Sequence, residues 1–102
     1  MVGIPHLTGK QKIYTAVVIL VCEPGAIEKR LESAYHSAIA SVDPQLDLPP
    51  ELVKEFVQIR DELRKEFVFP SASSSSEAER RRWAARLATR IVAFYDILAR
   101  TK

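Results

Sequence analysis

Cysteine is almost missing from this 102-residue chain: Cys22 stands alone, so no disulfide can close within it. A reducing compartment suits such a chain, and the expected localisation is cytoplasmic. Glycine is scarce as well, with three in all, which argues against the many tight turns of an all-β fold. An excess of one charge is also lacking. Fifteen Lys and Arg face thirteen Asp and Glu, and a net charge of +2 is too small to imply a polyanionic partner. No apolar run approaches the ~20 residues that a membrane-spanning helix needs, so no membrane partner is expected.

The longest such run, residues 13–22, is interrupted only by Thr15 and follows Lys10 and Lys12. That arrangement imitates a signal peptide. The chain continues Cys22-Glu23-Pro24 with no small-x-small cleavage site, and Val21 is too large for the residue before a lipoprotein cysteine. The expectation is a buried element. What the chain does have is an ordinary globular balance, 47% apolar and 27% charged, in a length that fits one domain with one core.

Residues 1–7, with Gly3 and Pro5, read as an irregular lead-in. Thr8 to Gln11 fits a capping box, which places a first helix at about 9–22. Ile13, Val17, Val18, Ile19 and Val21 are β-branched and would also suit a strand. Periodicity does not separate helix from strand in a run that is apolar on every side. The rest of the chain offers no convincing second strand to pair with it, which favours the helix.

Pro24 suits the first position of a second helix, at about 25–42. Its apolar positions Ile27, Leu31, Ala34, Tyr35, Ala38 and Val42 fall within an arc of ~100°. Asp43-Pro44 ends it, and residues 45–49 read as a short connection. A third helix, 50–67, starts on Pro50 and Glu51 and carries Leu52, Phe56, Ile59, Leu63 and Phe67 with spacings of four and three. Residues 70–76 form a Ser-rich loop. Ser76 to Glu79 is a second capping box, and the last helix, 77–100, lines up Ala84, Leu87, Ala88, Ile91, Phe94, Tyr95 and Leu98. The expected fold is therefore all-α, a single antiparallel four-helix bundle.

No chemistry announces itself. His6, His36 and Cys22 are too far apart for normal metal-ligand spacing, and no Glu-x-x-His motif is present. His36 lies opposite the apolar face of its helix and reads as solvated. Cys22, closing an apolar helix, reads as a small buried hydrophobe rather than a reactive thiol. The serines of residues 71–76 have no histidine beside them in sequence. Glu51, Glu55, Asp61, Glu62 and Glu66 alternate with Lys54, Arg60, Arg64 and Lys65, the pattern of a solvated face. No cofactor, metal or catalytic set is expected.

The charge distribution is more informative. Residues 77–102 hold seven Lys and Arg against three acids, whereas 1–50 and 51–76 each carry a slight negative excess. Arg81, Arg82, Arg86 and Arg90 could form a ridge that tracks phosphates. The charge is small, however, and no helix-turn-helix signature precedes the ridge, so a solvated or partner-facing role ranks above nucleic acid. Trp83, flanked by arginines at the border of the apolar stripe, either plugs one end of the core or anchors an interface. Val53, Val57 and Ile97 lie at or beyond stripe edges. Together with the all-apolar first helix they leave more apolar surface than four short helices hide, and homodimerisation is the simplest outlet.

The stretches Pro24-Gly25-Ala26-Ile27-Glu28-Lys29-Arg30-Leu31 with Ala34-Tyr35, Leu48-Pro49-Pro50-Glu51-Leu52, and Ile91-Val92 with Tyr95-Asp96 resemble a family of short uncharacterised bacterial proteins. The likeness extends over most of the chain from residue 13 onward. It implies a bacterial cytoplasmic helical protein and supplies no activity or ligand. The functional expectation is a non-enzymatic helical protein acting by association with protein, as a homodimer. The alternative is a nucleic-acid-binding accessory protein that uses the ridge of the last helix.

Overall fold

Residues 13–22, where sequence leaves helix and strand open, are helical. The structure, a computed structural model, describes residues 7–67 and 76–101. Its described residues form five α-helices and one 3₁₀ turn, with no strand among them. They are α1 (Leu7–Cys22), α2 (Ile27–Ser37), the 3₁₀ turn Ile39–Ser41, α3 (Pro44–Asp47), α4 (Pro50–Phe67) and α5 (Glu77–Arg100).

Helix α1 begins before the expected cap, so Thr8 lies inside its first turn. It buries Ile13, Ala16 and Leu20, at spacings of three and four, and leans Val17 and Ile19 on the same core. Its last turn has no basic residue of its own. The cation comes from α2 instead: Arg30 donates from a guanidinium nitrogen to the Leu20 carbonyl at 2.8 Å. That contact satisfies a carbonyl that a helix end leaves without a partner, at its negative pole.

Helix α2 is shorter than the expected 25–42. Gly25 takes φ 107°, in the left-handed region, and Ala26 is extended, so the helix starts at Ile27 and Pro24 stays outside it. At the other end Ala38 leaves helical geometry and the chain tightens into the 3₁₀ turn. The apolar face is nonetheless as expected: Leu31, Ala34, Tyr35, Ala38 and Val42 are buried.

Helix α3 occupies what sequence marks as a connection. Asp43 caps it by accepting from the Gln45 N–H at 3.0 Å, and Pro44 takes the first helical position. Asp47, only 8% exposed, closes the turn by accepting from the Asp43 N–H at 2.9 Å. Its Oδ2 also accepts from Lys12 Nζ at 3.1 Å, which ties α3 to α1. Gly9 makes that approach possible. It is buried, and a Cβ there would overlap the Asp47 carbonyl oxygen.

Helices α4 and α5 match their expected bounds, and Ser76 caps α5 as expected, its hydroxyl accepting from the Glu79 N–H at 3.1 Å. Phe56, Ile59 and Leu63 of α4 meet Leu87, Ile91, Phe94 and Leu98 of α5 in one core. The pairings Phe56–Phe94, Glu62–Arg90 and Phe67–Trp83 show that these two helices run antiparallel. Tyr14–Tyr95 and Lys10–Thr101 show the same for α1 and α5. Helices α1 and α4 each pack on both α2 and α5, and α2 and α5 also pack directly on each other. The α2–α5 pair is thus the centre of the molecule, with α1 and α4 flanking it.

Candidate interaction surface

From Ile13 onward the side of α1 turned away from the core carries no charged side chain. Between Ile13 and Cys22 the sequence has no ionisable group other than Tyr14 and Cys22 themselves. The helix repeat therefore sends one apolar stripe inward and another outward. Tyr14, Val18 and Val21, at spacings of four and three, form the outer one. Tyr14 is 53% exposed and Val21 69%, while Val18 is half-buried.

Helix α5 continues this surface. Ala88, Val92, Tyr95 and Ala99 recur at spacings of four, three and four, so they share a strip. Ala88 and Tyr95 are half-buried against the core, and Val92 is 44% exposed. The Tyr14 and Tyr95 rings meet at 5.7 Å, tilted by 45°, across the seam between the helices. Because the helices are antiparallel, seven residues along from that contact Val21 comes level with Ala88, and Val18 with Ile91 and Val92. The result is a largely apolar strip over α1 and α5, bulky at the tyrosine end and small at the Val21–Ala88 end, with exposed Asp96 beside Val92 and Lys10 beyond the tyrosine end.

Cys22 is exposed at that small end, which corrects the expectation of a buried hydrophobe. The inward stripe of α1 passes through Leu20, and two residues further on the helix has turned Cys22 outward. His36 is exposed, as expected of a solvated side chain, with its ring edge-on to Tyr35 at 5.1 Å. His6 lies outside the described residues. Among the described residues no three His, Cys, Asp or Glu side chains converge as a metal site.

The four arginines expected to form a ridge are not equivalent. Arg81 pairs with Glu77 of its own helix at 2.8 Å. Arg90 reaches α4, bonding Glu62 at 2.6 Å and approaching Glu55 at 3.6 Å. Arg82 and Arg86 are exposed and form no ion pair among the described residues. Half of the ridge is therefore neutralised by carboxylates. Trp83 is half-buried with its ring edge-to-face on Phe67 at 5.8 Å, where it closes the end of the core between α4 and α5.

Of the apolar residues expected at stripe edges, Val53 packs against the core, Val57 is half-buried and Ile97 is 51% exposed. The outer stripe of α1 was not separable in sequence from its inner one, because both are apolar. Its only signal is the spacing of Tyr14, Val18 and Val21, offset from that of Ile13, Ala16 and Leu20.

Comparison with protein-family models, with curated proteins and with solved structures gives no match. Among the described residues no helix is long and apolar enough to cross a membrane.

Proposed function

We propose that this protein is a non-enzymatic helical module that acts by protein association, and that it forms a homodimer. The observation that carries this reading is the largely apolar outer strip of α1 and α5, with Tyr14, Val21 and Val92 exposed. Isolated apolar side chains are normal on a protein surface, but a continuous strip is a feature of interaction sites. A second copy of the chain is the simplest partner for such a face, since most oligomers of soluble proteins are symmetric homo-oligomers.

The finer architecture belongs to the same proposal. We read the four long helices as an antiparallel bundle, flattened so that α2 and α5 make the short diagonal and the outer faces of α1 and α4 are left wide. A cytoplasmic setting fits the unpaired, exposed Cys22. The resemblance to short bacterial helical proteins is compatible with this reading and adds no activity to it.

Nucleic-acid binding ranks second. Exposed Arg82 and Arg86 favour it, whereas the carboxylate partners of Arg81 and Arg90 weigh against it. Light scattering on a dilution series tests the leading reading. An apparent mass that rises with concentration supports it, and a constant monomer mass overturns it.

A further inference from the structure

We draw no further inference here: the strongest candidate, the apolar surface strip of Tyr14, Val18, Val21 and Val92 along α1 and α5, carries nothing beyond the association already proposed, because nothing in the structure shows what covers it.

Discussion

A Cβ on Gly9 would overlap the backbone carbonyl oxygen of Asp47, so α1 and α3 pack at a distance that only glycine permits. Lys12, three residues further along α1, then reaches the Asp47 carboxylate. The small residue sets the approach and the ion pair fixes it.

Gly9→Ala is expected to destabilise the fold. Alanine would gain roughly 1 kcal/mol over glycine in helix propensity. The obligatory separation of α1 from α3 costs more, typically about 1–3 kcal/mol for an overpacked contact. A net loss in urea unfolding checks this, and a stabilised variant would show that the contact relaxes freely.

Asp47→Ala removes the acceptor of the Asp43 N–H and one of two acceptors of Lys12, whose Nζ also donates to the Ser41 carbonyl at 2.8 Å, and a loss of about 1–3 kcal/mol is expected. Asp47→Asn retains a neutral acceptor for the Asp43 N–H and is expected to cost less. A double-mutant cycle with Lys12→Met isolates the ion pair, which should couple by about 0.5–1 kcal/mol at this partly buried position.

Native Cys22 is expected to react completely with a thiol reagent in the absence of denaturant, because its side chain is exposed at the end of α1. Labelling that required unfolding would place the thiol in the core and contradict the outward turn of this residue.

Arg90→Ala should lower stability by up to about 1 kcal/mol through loss of its contacts with Glu55 and Glu62. It should not alter nucleic-acid binding at low salt, since those carboxylates already occupy the guanidinium. A salt-dependent gel shift that weakens in this variant would revive the phosphate-tracking ridge.

Much of this fold is legible in sequence, for identifiable reasons. Helices α4 and α5 have one apolar face each and explicit start signals in Pro50 and Ser76, and their bounds match. Helix α3 is a single turn, too short for periodicity, and its only marker is Asp43-Pro44 followed by Asp47. The early end of α2 depends on backbone geometry at Ala38, which no side chain announces. Helix α1 is legible as a helix only by elimination, and its two apolar stripes cannot be ranked without knowing where α2 and α5 lie. The outward position of Cys22 and the outer strip were hidden for that same reason. The pairing of Arg90 with α4 has no signal in sequence, because Glu62 lies 28 residues away.

The most direct test of the account is sedimentation equilibrium of the intact chain from micromolar to millimolar concentration, run beside Val21→Glu. The wild type is expected to shift from its monomer mass of 11.5 kDa toward twice that value, and the variant to remain at the monomer mass throughout. A wild type that stays at 11.5 kDa over the whole range, or a variant that associates as strongly as the wild type, would contradict association through the outer strip of α1 and α5.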